Sequence, residues 1–269
     1  MNTLTLLLCL IVFQDEPKKP ESEWFPEGLA YRHPLADPRA PVTGVRFQFP
    51  IDGEDDFKIE NRLATHLAIW RKGDPEVAAF EVQAEGAAFG RFNFNENWDM
   101  DGVDFRFGFP IVSRAGPIAL KLHPWHMTSH LGDEFIERTG RERVVYARNE
   151  ICLGLSWDID KEWRVYLEAG YALSRGDVNE PLRLMAGAET VGRHFGPDGP
   201  DVFAALNLTS FEEQDYGIQF NLEAGVWLRP EKSNRGVRLS LGYFRGPSAL
   251  TQFFEDNEEY WSLGFSLPF

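Results

Sequence analysis

Apolar and polar residues alternate with a period of two along most of this chain, most cleanly at its end. There Trp261, Leu263, Phe265, Leu267 and Phe269 alternate with Ser262, Gly264 and Ser266. A period of two sends successive side chains to opposite faces of a strand, giving one aromatic-rich apolar face and one small polar face. Upstream, Val237, Leu239, Leu241 and Tyr243 alternate with Arg238, Ser240 and Gly242, and Ile218 to Leu228 with Gln219, Asn221, Glu223 and Gly225. Trp163 to Leu173 alternate with Arg164, Tyr166, Glu168 and Gly170, while Ile151, Leu153, Leu155 and Trp157 oppose Arg148, Glu150, Cys152 and Ser156. Val103, Phe105, Phe107 and Phe109 oppose Asp104, Arg106 and Gly108, and Phe80, Val82, Ala84, Phe92 and Phe94 oppose Glu81, Gln83, Glu85, Arg91 and Asn93.

These runs reach 10 to 15 residues. A strand in a soluble sandwich has about 5 or 6 residues, whereas one tilted by about 45° across a bilayer needs roughly 9–11. Aromatic residues gather near the strand ends, where an interfacial girdle sits. Only a closed barrel satisfies every backbone group in lipid. The pattern therefore predicts an all-β fold, a single antiparallel transmembrane β-barrel. Turn-forming clusters divide it into about 12 strands near 43–51, 61–71, 78–94, 102–112, 117–131, 144–157, 162–175, 182–192, 201–209, 217–229, 235–246 and 258–269. An even count puts both termini in the periplasm. Segments 114–116, 158–161 and 230–234 then become short periplasmic turns, and 52–60, 95–102, 132–143, 211–216 and 246–259 become longer, acidic outer loops. Pro124 cannot donate to a ladder, so a bulge is expected at it. Arg106, Arg148, Glu150, Arg164, Glu168, Glu223 and Arg238 face inward. Mixed signs suit a narrow pore or a salt-bridged lumen better than a strongly ion-selective channel.

Composition changes this picture in three ways. The 269 residues carry 27 Lys plus Arg against 42 Asp plus Glu, a net charge of −15, which argues against a nucleic-acid partner. A mean hydropathy of −0.33 hides the membrane pattern, because averaging mixes the two faces of each strand. The aromatic share of 14%, with 22 Phe and 8 Trp, is explained by a lipid-facing side. Leu4 to Phe13 is an apolar run of ten, too short to span a bilayer. Residues 1–20 are thus expected to be a signal peptide, although no Lys or Arg precedes the run and no Ala-x-Ala follows it. Residues 21–42, rich in Pro and without alternation, are expected to be a periplasmic lead-in that folds into the lower mouth of a barrel over 43–269. Cys9 and Cys152 are the only cysteines, and no metal-ligand spacing of Cys and His or cofactor motif occurs. The expected setting is the Gram-negative outer membrane, with its lipids as partners. The ending on Phe269 resembles the terminal signal by which the barrel-assembly machinery takes up such proteins.

Several motifs resemble those of an uncharacterised bacterial family, domain of unknown function 1207. They are Phe25-Pro26-x-Gly28-Leu29, Leu35-Ala36-Asp37-Pro38-Arg39, Asn95-x-Asn97, and Asp101-x-Val103-Asp104-Phe105-Arg106-Phe107-Gly108. Ser129-His130-Leu131-Gly132-Asp133-Glu134, Tyr146-x-Arg148 and Phe253-Phe254 follow. The likeness runs from about residue 25 to 269 and implies a barrel-like envelope protein without an assigned activity.

Residues 123–134, HPWHMTSHLGDE, hold three of the six histidines. His126, Thr128 and His130 fall on one face, and Trp125, Met127, Ser129 and Leu131 on the other. His-x-Thr-Ser-His resembles the His-x-Ser-Asn pattern of outer-membrane lipid deacylases. Acyl-ester hydrolysis needs a hydroxyl, a base within hydrogen-bond reach and a group to orient it. Ser129 or Thr128 supplies the first, His126 or His130 the second, Asp133 or Glu134 the third. Pleat geometry separates Ser129 from its neighbour His130, and Thr128 shares a face with both histidines. A polar cluster closing the lumen and a ligand or ion site are the alternatives. Three readings remain open at this point: a structural or narrowly permeable barrel, an outer-leaflet lipid hydrolase, and a soluble periplasmic β-protein if the alternation reflects a sandwich.

Overall fold

The computed structural model describes residues 21–51, 57–75, 77–174, 176, 180–193, 199–229 and 235–268. The expected export signal, the loop residues 52–56, the turn 230–234 and Phe269 lie outside the described residues.

The strands are β1 (Ser22–Trp24), β2 (Thr43–Pro50), β3 (Lys58–Asp74), β4 (Ala78–Asn93), β5 (Asp99–Gly108), β6 (Ile111–Ala115), β7 (Ile118–Leu131), β8 (Tyr146–Asp158), β9 (Trp163–Ser174), β10 (Leu182–Arg193), β11 (Asp201–Phe211), β12 (Ile218–Leu228), β13 (Val237–Pro247) and β14 (Asn257–Leu267). Each pairs antiparallel with its neighbours, and β14 closes the ring on β2 from Tyr260↔Pro50 to Leu267↔Thr43. β5 and β6 occupy one position between β4 and β7, and β1 pairs with the far end of β3 on the edge that β2 takes nearer its start. The result is a closed barrel of twelve staves.

Proline explains the division of the expected 102–112 strand. Pro110 has no N–H to give the ladder, yet the register does not slip across it. Gly108↔Trp125 and Ile111↔Leu122 stay in step, while Phe109 N donates to Pro124 O (3.0 Å) and Gln83 N to Pro110 O (2.8 Å). The bulge expected at Pro124 is absent, because Pro124 pairs regularly with Ile151 and uses its carbonyl alone. Register shifts fall instead between Ala68 and Trp70, Arg91 and Phe92, and Asn149 and Glu150. The loop after β7 contains a helix, α1 (Asp133–Thr139). Its first turn carries Asp133 and Glu134, matching the positive end of the helix dipole, and Gly140 closes it at φ 68°.

Burial is inverted relative to a soluble sheet. Arg148 and Glu150 are 0% and 2% exposed, whereas Leu153 and Leu241 on the outer face are each 62% exposed. Such a continuous apolar exterior around a polar interior is the pattern of a lipid-facing barrel. Aromatic contacts cluster at one rim, where Phe57 packs on Phe49 (5.1 Å) and Phe94 (5.5 Å) and Phe94 on Trp98 (5.0 Å).

Candidate functional site

The interior is filled by the chain's own N-terminal segment. After β1 has paired with β3, from Ser22↔Lys72 to Trp24↔Trp70, residues 26–42 turn into the lumen. Their backbone lacks a strand neighbour there, so its polar groups need side-chain partners. Ala30 N donates to Glu81 (3.0 Å) and Leu35 N to Glu189 (2.9 Å). Arg164 donates to the carbonyls of Arg32 (2.8 Å) and His33 (3.0 Å), and Arg71 to those of Glu27 (3.1 Å) and Gly28 (2.8 Å). Tyr31 Oη donates to Glu168 (3.0 Å), beneath a cation–π contact from Lys121. The expected lead-in thus enters the barrel and fills part of its lumen.

The same segment meets a second insert from the opposite end. Asp37 accepts from Arg39 N (2.9 Å), a local turn that aims Arg39 across the barrel. Arg39 then reaches Glu60 (3.0 Å) and Ala249 O (2.7 Å). Ala249 precedes a buried turn in which Leu250 and Phe253 pack on Leu131, with Phe135 and Ile136 of α1 over them. Thr251 binds Asp104 through N (3.2 Å) and Oγ1 (2.9 Å), and Arg91 and Arg141 sit against the Phe253 ring.

Arg148, Glu150, Arg164, Glu168, Glu223 and Arg238 are all buried on the inner face, and Arg106 binds Glu85 there (2.8 Å). Glu150 accepts from Arg148 (2.8 Å), Arg183 (2.9 Å) and Trp125 Nε1 (3.0 Å). Arg46 pairs with Glu223. Charges of both signs thus neutralise one another within the lumen. Next to the barrel mouth, Glu213 accepts from Tyr146 Oη (2.7 Å) and faces Arg148 (3.3 Å). Burial, only partly offset by Arg148 and Tyr146, pushes the Glu213 carboxyl up to about 7.

The structure divides the residues of the 123–134 cluster between two faces. Ser129 points inward, donates to Asp104 Oδ1 (2.5 Å) and is held from behind by Gln252 on its carbonyl (3.0 Å). Asp104 takes Ser129 and Thr251 as partners, with Arg39 at 3.5 Å, so no histidine stands beside this hydroxyl among the described residues. Asp133 and Glu134 are exposed on α1, where Asp133 pairs with Arg143 (3.1 Å). His130 faces outward near Phe105, at 6.3 Å between rings.

His126 and Thr128 also face outward, and here β8 supplies what the local sequence did not. Asn149, directly opposite His126 in the register, accepts from its Nδ1–H at 2.7 Å. The amide is oriented by donating its own Nδ2–H to Ser174 Oγ. That tautomer leaves His126 Nε2 free to accept a proton. A shallow groove lined by Phe107, Phe109, Pro124, Ile151 and Leu173 surrounds the pair, with the Phe107 ring 5.1 Å from the imidazole. Asn149 is 23 residues from His126, and only strand pairing brings them together.

The family described as "Protein of unknown function (DUF1207)" matches residues 15–269. The chain belongs to this family. Several of the motif residues meet in the interior: Gly28 and Arg39 in the lumen segment, Asp104 and Ser129 in one hydrogen-bonded pair, Phe253 and Phe254 in the buried turn, while Phe105, Phe107 and His130 face outward. No curated protein matches the chain in sequence. Among solved structures, the Salmonella typhi outer membrane phospholipase dimer with bound calcium is similar at TM-score 0.52 and 12% identity, over 88% of this chain and 94% of that one. An active-site mutant of outer membrane phospholipase A from Escherichia coli, with asparagine replaced by alanine, is similar at TM-score 0.51 and 12% identity, over 95% and 94%. At these identities the likeness is one of fold.

Proposed function

We propose that the chain is an integral outer-membrane barrel, with its termini in the periplasm, whose lumen is sealed by its own residues and serves no free diffusion. The observation that carries this reading is the Arg39–Ala249 hydrogen bond, where the segment entering from one end meets the turn inserted from the other. The exterior anchors the barrel in lipid, and the many Arg–carboxylate pairs inside favour neither sign of ion. Proteoliposomes swollen in isotonic sugars test it. Sealed barrels give the swelling rate of protein-free vesicles, and rates that rise with protein content and fall with sugar size contradict the seal.

A second reading, hydrolysis of acyl esters in the outer leaflet, is favoured by the His126–Asn149 contact on the lipid-facing wall. Thr128 Oγ1 attacks the ester carbonyl while His126 Nε2 takes its proton, and Asn149 holds the ring. The acyl group passes to Thr128, the lipid alcohol leaves with the proton, and water then releases the fatty acid. The similar fold of outer membrane phospholipase A, where an asparagine belongs to the active site, supports testing this arrangement. Fatty-acid release from phospholipid vesicles, with and without calcium, is the measurement. Thr128→Val, His126→Ala and Asn149→Ala abolish or strongly reduce it, whereas Ser129→Ala keeps it. No release by the wild type, or full release by Thr128→Val, overturns the assignment.

A further inference from the structure

The lumen segment, β3 and β4 bring three potential metal ligands together. His33 comes from the segment, His66 from β3 and Glu85 from β4, and each offers one ligand atom within 4.8 Å of the others. The two imidazoles lie 4.2 Å apart between ring centroids, tilted by 54°. His66 and Glu85 are buried and His33 is half-buried, and several of their polar atoms lack a hydrogen bond. His33 Nε2 is 3.0 Å from Glu85 Oε2, and His123 Nε2 is 3.3 Å from Oε1, but neither contact has hydrogen-bond geometry. His66 Nδ1 and both Glu85 oxygens also have no hydrogen-bond partner. Buried polar atoms without a hydrogen bond are unfavourable, so such a convergence needs a cause.

We propose that His33, His66 and Glu85 bind one first-row divalent cation, zinc in the first instance, which clamps the lumen segment to the barrel wall. Two imidazoles and one carboxylate are a known zinc donor set, with the fourth position left to water. The surroundings orient these ligands. Gln83 Nε2 donates to Glu81, which turns the Gln83 amide oxygen to His66 Nε2 (2.8 Å). His66 Nε2 therefore carries the hydrogen and Nδ1 the lone pair, and such outer partners fix a metal-binding tautomer. Arg106 holds Glu85 Oε1 (2.8 Å), which leaves Oε2 on the His33 side. Residues His33 and His66 also line a cavity with Gly28, Leu29 and Val42, which gives room for the coordinated water. Because His33 belongs to the segment and the other two ligands to the wall, a bound ion joins the two parts at one point.

Zinc titration of the chelator-stripped, detergent-folded protein tests this. The wild type takes up one zinc per chain, and zinc-edge X-ray absorption shows two imidazoles among nitrogen and oxygen neighbours. His66→Ala and His33→Ala weaken binding at least about ten-fold, while His126→Ala and His130→Ala on the outer wall leave it unchanged. Heat-modifiable gel migration checks that each variant is folded. The absorption spectrum of the wild type stands without any variant. Absence of stoichiometric zinc, a spectrum without imidazole, or equal loss in the outer-wall variants overturns the proposal. Zinc uptake and vesicle swelling are read separately, so a failure of one does not decide the other.

Discussion

At the level of single residues, many interior charges stand in pairs of opposite sign, and small residues make room for them. Gly170, on the inner face of β9, illustrates this. A Cβ there would overlap the Glu150 carboxylate, which Arg148, Arg183 and Trp125 hold in place. A flexible carboxylate would otherwise swing aside at little cost, but this one cannot move without losing three bonds. Gly170→Ala is therefore expected to destabilise the barrel by about 1–3 kcal/mol, measured as a lower temperature for heat-modified migration. An unchanged transition would show that the network rearranges freely. That His126 and Thr128 share one face and Ser129 lies on the other was legible in the sequence, because a period of two separates faces directly. The partners were not. Asn149 meets His126, Asp104 meets Ser129 and His66 meets His33 only through pairing of distant segments, and the local cluster at 123–134 pointed instead to Asp133 and Glu134.

At the level of elements, the twelve staves were readable because long alternating runs admit one register of faces. Two features escaped. Pro110 interrupts a strand without shifting its register, so neither alternation nor spacing announces the break. Residues 26–42 have no alternation because their partners are lumen side chains such as Glu168, 137 residues from Tyr31, rather than a neighbouring strand. The short 3-10 turn Glu212–Gln214 carries a pH-dependent contribution of its own. Glu213 faces Arg148 and Tyr146, with Glu150 beyond Arg148. Its folded-state pKa of about 7 lies above the ordinary value near 4.5, so between those values the folded state holds a proton that the unfolded chain releases. Stabilisation from this group is complete below about 4.5 and is lost as pH rises through about 7. Thermal stability of Glu213→Gln should accordingly decline less than that of the wild type from pH 5 to 8. Identical slopes would remove Glu213 as the source.

At the scale of the whole molecule, the acidic composition and the aromatic excess resolve into separate regions. Leu, Phe and Trp form the outer wall, and paired Arg and Glu fill the inside along with the chain's own segment. A barrel of this size has space for such a segment, whereas eight-stranded barrels are filled by side chains alone. The central claim is that this filling seals the lumen, and single-channel recording in planar bilayers tests it most directly. The intact protein should insert and remain silent, and deletion of residues 26–42 should produce conducting events. Steady conductance from the intact barrel, no greater after the deletion, would contradict the account.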